Sequence, residues 1–137
     1  MQERSKARAW ALRVLYAWES REAADLAVVL DEFLTRRRIA PRRRDYLRRL
    51  VSAIADNAEA IDAALQGAIS NWRLERLSVI DRDILRIGAA EMMYFDDVPP
   101  RVSIREALKL AERYGTDQSP RFVNGVLDAL MKGLERA

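Results

Sequence analysis

Arg4, Lys6, Arg8 and Arg13 are closely spaced at the start of the chain, and Tyr16 follows within one helical turn of Arg13. Guanidinium and ammonium groups pair with phosphate oxygens, and a phenol ring offers a flat face to an unpaired base. The chemistry such a set can perform is recognition of a nucleic-acid strand rather than the making or breaking of bonds. The same spacing also fits a solvated helix face with Tyr16 partly in the core. A denser cluster follows, with Arg36, Arg37, Arg38, Arg42, Arg43, Arg44, Arg48 and Arg49 straddling one expected helix junction. It reads either as a phosphate-binding surface or as a solvated junction that complements a helix C-terminus.

The third set lies near the other end, in RFVNGVLD, residues 121–128. On a helical wheel Val123, Val126, Leu127, Leu130 and Leu134 face the core, with Phe122 at the margin of that stripe and Arg121, Asn124 and Asp128 on the far side. A ring beside an amide and a guanidinium suits single-stranded bases, which stack on rings and pair with polar groups. Gly125 stands inside this helix, where glycine costs about 1 kcal/mol against alanine. It is read as small so that a neighbouring helix can come close.

Other chemistries are short of parts. The chain has no histidine and no cysteine, which removes thiolate nucleophiles, Cys/His zinc sites and the usual base at neutral pH. No Gly-x-Ser-x-Gly elbow, phosphate-binding loop or dinucleotide-binding turn occurs. The pairs Asp81/Asp83 and Asp96/Asp97 do not share a helix face and are read as caps and loop residues rather than metal ligands. Neither catalysis, a metal nor a cofactor is expected. No run approaches the roughly 20 apolar residues that span a bilayer, so the expected location is the cytoplasm. The 24 basic residues, 21 of them arginine, exceed the 21 acidic ones, and they are unevenly placed: residues 1–50 carry a net +6 and the remainder −3. A basic first third on a near-neutral body is the footprint of a phosphate-binding face.

The elements that must position these groups all read as helices, because apolar residues recur at spacings of three and four and no stretch alternates. At 137 residues one domain over residues 1–137 is expected. Helices are expected from about Ser5 to Ser20 and from Ala24 to Arg37. A third starts at Pro41 and continues without interruption to Leu65. A short helical link holds Trp72, and a helix capped by Ser78 and Asp81 runs through Phe95. After the Asp96–Pro100 loop, Ser103 and Glu106 form a capping box opening the next helix, which stops at Gly115. Ser119 and Pro120 open the last one.

Four stretches, ALRVLYAWE (11–19), IDRDILRIGAAEM (80–92), DVPPRVSIREALKLAERYG (97–115) and SPRFVNGVLD (119–128), resemble the NusB family of bacterial transcription antitermination factors in content, order and spacing. The resemblance implies an all-α fold of about six or seven helices in two packed helical subdomains. It implies a non-enzymatic role: binding the boxA element of RNA together with NusE, the ribosomal small-subunit protein, within an RNA polymerase complex that resists termination on ribosomal RNA operons. Carried over by position, RNA would be held by Arg4, Lys6, Arg8 and Tyr16 at one end and by Gln118, Ser119, Arg121, Phe122 and Asn124 at the other, with Arg13 completing the basic arm. The NusE-facing residues would be Glu91, Met92, Tyr94, Phe95 and Pro99. Ser5, Gln118, Pro120 and Arg105 depart from what is common in the family. Two further readings stay open: an RNA-binding module of an rRNA cytosine methyltransferase, which requires a long catalytic domain, and a self-associating scaffold whose homodimer covers the RNA face.

Overall fold

In the computed structural model, which describes residues 2–22 and 24–136, seven α-helices and one 3-10 turn follow one another. They are α1 (Gln2–Glu19), α2 (Leu26–Arg36), α3 (Pro41–Asp56), α4 (Ala58–Ala68), the 3-10 turn Leu74–Arg76, α5 (Val79–Tyr94), α6 (Pro100–Tyr114) and α7 (Ser119–Arg136). Among the described residues there is no strand. The helices α1, α2 and α3 pack together, α4, α6 and α7 gather around α5, and α5 also lies against α1 and α3. This makes α5 the shared axis of the two groups. It contributes Ile84, Leu85 and Ile87 to the sealed interior, alongside Leu15 of α1, Leu47, Leu50 and Ile54 of α3, Ile61 and Leu65 of α4 and Leu127 of α7. Each such side chain contributes about 1.5–3 kcal/mol by leaving water.

Local chemistry sets most boundaries. The Asp25 carboxylate accepts from Ala27 N at 3.1 Å and caps α2, Pro41 opens α3 where its missing N–H is harmless, and Ser78 Oγ accepts from Asp81 N at 3.2 Å at the head of α5. Two expectations fail. The long helix from Pro41 is broken at Asn57, whose backbone leaves the helical region (φ −128°, ψ 25°) while its side-chain amide donates to Ala53 O at 2.8 Å. Asparagine offers the backbone that alternative partner, and apolar spacing does not register it. The second failure is the capping box at Ser103. The α6 helix starts earlier, at Pro100, so Ser103 and Glu106 lie inside it and are both buried. The short link is confined to Leu74–Arg76, leaving Trp72 in the bend before it.

The close packing expected at Gly125 is found instead at Gly88. A Cβ on Gly88 would stand 2.7 Å from Leu127 Cδ1, so α5 and α7 touch through Gly88. A Cβ on Gly125 would meet no atom within 4 Å, and Gly125 is exposed. Close helix packing therefore does not account for Gly125.

Candidate nucleic-acid interface

The basic arm of α1 splits by helical phase. Lys6, Arg13 and Tyr16 are exposed on one stripe, with Arg13 4.4 Å above the Trp10 ring and Tyr16 51% accessible. Arg8 points the other way and is 3% exposed. Its Nε donates to Glu91 Oε2 at 2.6 Å, and its second nitrogen lies 3.3 Å from Glu106 Oε1. Tyr46 also donates to Glu91, Ser5 donates to Glu106, and Lys109 Nζ lies 2.9 Å from the other Glu106 oxygen. Burial alone would push the Arg8 guanidinium down, but the two carboxylates hold it above its ordinary range. Expected at the RNA surface, Arg8 instead fastens α1 to α5 and α6. Arg4 leaves the stripe as well: it sits over the Tyr46 ring at 4.6 Å and pairs with Asp97 at 2.9 Å.

Beside the exposed stripe, two hollows share Arg13 and Tyr114 as walls. One reaches Lys6, Trp10, Arg43 and Arg113; the other reaches Tyr16, Phe33, Arg37 and Ile80. The next hollow along takes up Asp81 beside Ile80 and is closed by Thr116, Gln118, Arg76, Trp72 and Phe122. A last one shares Trp72 and Phe122 and ends against Asn71, Arg121 and Gly125. The first two hollows share Arg13 and Tyr114, the last two share Trp72 and Phe122, and the two pairs adjoin along the chain at Ile80 and Asp81; we call this row of hollows, from the first turns of α1 to the middle of α7, a furrow. It is floored by aromatic rings and edged by cations. Among the described residues no carboxylate lies within ion-pairing distance of Lys6, Arg13, Arg37, Arg76, Arg113 or Arg121, whereas Arg43 pairs with Glu3 at 2.9 Å.

The dense arginine cluster divides along the same line. Arg37 and Arg43 wall the furrow, Arg44 donates to Leu34 O at 2.8 Å, and Arg49 forms two hydrogen bonds to Asp97, at 2.6 and 3.0 Å. Those bonds, then the one from Arg4, hold the Asp97 carboxyl below the usual carboxylate range. At the α7 end, Arg121, Phe122 and Gly125 share the furrow, and Phe122 is half-buried against the core. Asn124 is exposed but does not line this hollow, whose α7 wall is made by Arg121, Phe122, Gly125, Val126 and Ala129. Ser119 is 1% exposed, and its hydroxyl accepts from Thr116 N at 2.9 Å. It shapes the turn before α7 and offers nothing to a strand. Gln118 is exposed on the furrow wall.

The expected partner surface is thinned in the same way. Glu91 is fully buried in the Arg8 network, and Phe95 is 4% exposed, edge-on to Tyr46 at 5.7 Å with Arg49 4.0 Å above it. Both are removed from the candidate surface because their polar or aromatic faces are already spent on α1 and α3. Tyr94 and Pro99 are exposed, and Met92 is half-buried. Sequence reasoning missed Trp72, Tyr114, Arg76 and Arg113. The exposed aromatics at helix ends carried the only available signal, and it is a weak one. A separate polar hollow between α1, α4 and α5 is lined by Arg86, which pairs with Glu19, with Asp62 at 3.0 Å and with the buried Asp83 at 3.1 Å, and by Arg82 pairing with Glu19. Its charges are mutually compensated.

On an all-helical scaffold, a furrow of unpaired cations over aromatic rings is the equipment of a protein that recognises nucleic acid. The chain belongs to the NusB family, whose family model matches residues 5–132. The transcription antitermination protein NusB of Sorangium cellulosum is 40% identical over 136 residues, covering 99% of this chain and 96% of that protein. The protein of the same name from Chloroherpeton thalassium is 39% identical over 92% of this chain, which spans 60% of that longer protein. Among solved structures, T. maritima NusB superposes with a TM-score of 0.87 at 36% identity, covering 94% of this chain and 90% of that one. A crystal structure of the antitermination factors NusB and NusE in complex with double-stranded RNA matches with a TM-score of 0.80 at 27% identity, covering 97% and 98%. No helix among the described residues is long and apolar enough to cross a membrane.

Proposed function

We propose that this chain is a transcription antitermination factor that binds boxA-type single-stranded RNA in the cytoplasm, paired with NusE, and so supports transcription of ribosomal RNA operons. The observation that carries the reading is the furrow itself. Lys6, Arg13, Arg37 and Arg113 edge one end of it, Arg76 and Arg121 the other, and Tyr16, Tyr114, Trp72 and Phe122 supply the stacking faces between. Phosphates of a strand laid along it meet cations, and splayed bases meet rings. Its role is recognition, with no bond made or broken.

The family relationship and the likeness to a NusB bound with NusE and RNA support the partner assignment. Tyr94 and the accessible part of Met92 in the last turn of α5, with Pro99 just before α6, form the surface offered to NusE. The test is a titration of the heterodimer with boxA RNA and with a scrambled strand of equal length at moderate salt. Preference for boxA is expected; equal binding of both strands would refute the reading.

A further inference from the structure

We propose that the cleft between Trp72 and Phe122, floored by Gly125, is a base-binding subsite that takes one unpaired nucleobase beyond Phe122. The inference rests on the RNA-binding reading and deepens it at the α7 end of the furrow, where it assigns one base to a defined cleft. Trp72 is 61% exposed, more than any other large hydrophobic residue described. An isolated exposed ring is ordinary, but this one is held out by its backbone. The Gln66 side-chain amide donates to Trp72 O at 2.9 Å, and the Gln66 side-chain oxygen accepts from Leu74 N at 2.8 Å. One glutamine thus clamps the bend on both sides of residue 73, and the indole is displayed from a fixed segment.

Across the cleft stands Gly125, in the interior of α7. Helical glycine is unfavourable relative to alanine, and a Cβ there would meet nothing within 4 Å. Neither packing nor a close backbone approach explains it, yet the open space above it is the cleft. Arg121 lies one turn before Gly125 and Ala129 one turn after, so the floor is small and one rim is cationic. Asn71 on the opposite wall offers an amide able to donate to and accept from a base edge. No carboxylate among the described residues pairs with Arg121 or with Arg76 on the far side of Trp72. The cleft is the α7 end of the furrow and shares Trp72 and Phe122 with the hollow before it, so a strand following the furrow reaches it without leaving the surface. An unpaired base fits this set: a flat apolar face for the indole, polar edges for the amide, and a phosphate for the arginine.

The experiment compares wild type, Trp72→Ala, Gly125→Leu and Gly125→Ala, each as the heterodimer with NusE, in titrations with a fluorescein-labelled boxA RNA 12-mer. Affinity for NusE and thermal midpoints are measured in parallel. Trp72→Ala is expected to weaken RNA binding roughly 5- to 160-fold, the range of one lost base stack. Gly125→Leu, which fills the floor, is expected to weaken it at least fivefold while folding normally. Gly125→Ala should raise the midpoint, because nothing opposes its methyl group. Binding of RNA by Trp72→Ala and Gly125→Leu at wild-type strength would overturn the subsite and leave the boxA reading intact. Loss of NusE affinity with RNA affinity unchanged would also overturn it, showing the cleft to seat a protein side chain. Failure of wild type to bind the RNA at all would instead remove the parent reading. If Trp72→Ala fails to fold, Gly125→Leu decides alone.

Discussion

Arg8 Nε lies 2.6 Å from Glu91 Oε2, and the two side chains are 4% and 1% exposed. The pair joins α1 to α5, and Tyr46 and Glu106 extend it to α3 and α6. A buried pair of this kind adds little over an apolar replacement of both partners, but removing one partner strands a charge. Arg8→Ala is therefore expected to destabilise the fold by about 3–5 kcal/mol, with RNA affinity per folded molecule unchanged. Denaturant unfolding and an RNA titration corrected for the folded fraction measure the two effects. A stable variant with weakened RNA binding would return Arg8 to the interface.

Lys6 and Arg13 are exposed on the furrow edge and have no ion-pair partner among the described residues. Substituting either by alanine should weaken binding to all RNAs alike and reduce the slope of log affinity against log salt by about 1. Stability should change by less than about 0.5 kcal/mol, as for ordinary surface positions. A salt series on the two variants distinguishes phosphate contacts from a merely solvated face, which would leave the slope where it was.

Phe122 has two roles that can be separated. It is half-buried against the core and also walls two hollows of the furrow. Phe122→Leu retains most of the apolar volume and removes the ring. It should cost about 1–3 kcal/mol in RNA binding and less than about 1.5 kcal/mol in stability. Should stability fall while RNA affinity holds, Phe122 belongs to the core alone.

Asp83 is sealed in the protein beside Arg86, and burial, then the neighbouring Glu19, push its carboxyl up to about 7 from an ordinary 3.8. Between those values the folded protein holds a proton that the unfolded chain has released. This group's contribution therefore makes stability fall as pH rises through that window. Asp83→Asn removes the dependence, so its stability relative to wild type should improve from pH 4 to pH 8. Urea unfolding of both proteins at several pH values checks the sign; a relative loss at pH 8 would mean that the Arg86 pair outweighs burial. Glu19 and Glu106 act in the opposite direction. Arginine partners hold Glu19 low against burial, and Ser5 and Lys109 do the same for Glu106; that stability is lost on acidification.

Gly88 leaves no room for a side chain. Gly88→Ala would drive its Cβ to 2.7 Å from Leu127 Cδ1, and Leu127 is fully buried. Overpacking of this kind costs about 1–3 kcal/mol, against a helix-propensity gain of about 1 kcal/mol. A net loss of stability is expected at 88 and a net gain for the same change at 125, which a pair of melting curves compares directly.

The sequence by itself determined the all-helical class and most of the helices, because a 3.6-residue apolar period is a local property; it did not show the break at Asn57 or the earlier start of α6. Ser78, Pro41 and the Asp96–Pro100 loop marked ends that need only neighbouring residues. It also pointed to phosphate recognition, since 21 of the 24 basic residues are arginine and they crowd the first third of the chain. Only the tertiary structure decided which charges remain free to act. Arg4, Arg8 and Lys6 look alike in the sequence, yet Asp97 takes the first, Glu91 and Glu106 take the second, and the third is left on the furrow edge. Their partners lie 83 or more positions away along the chain. The same holds for Gly88 and Gly125: one meets Leu127 and the other meets open space. Ion pairing and packing depend on distances between helices, and no period along one helix contains them.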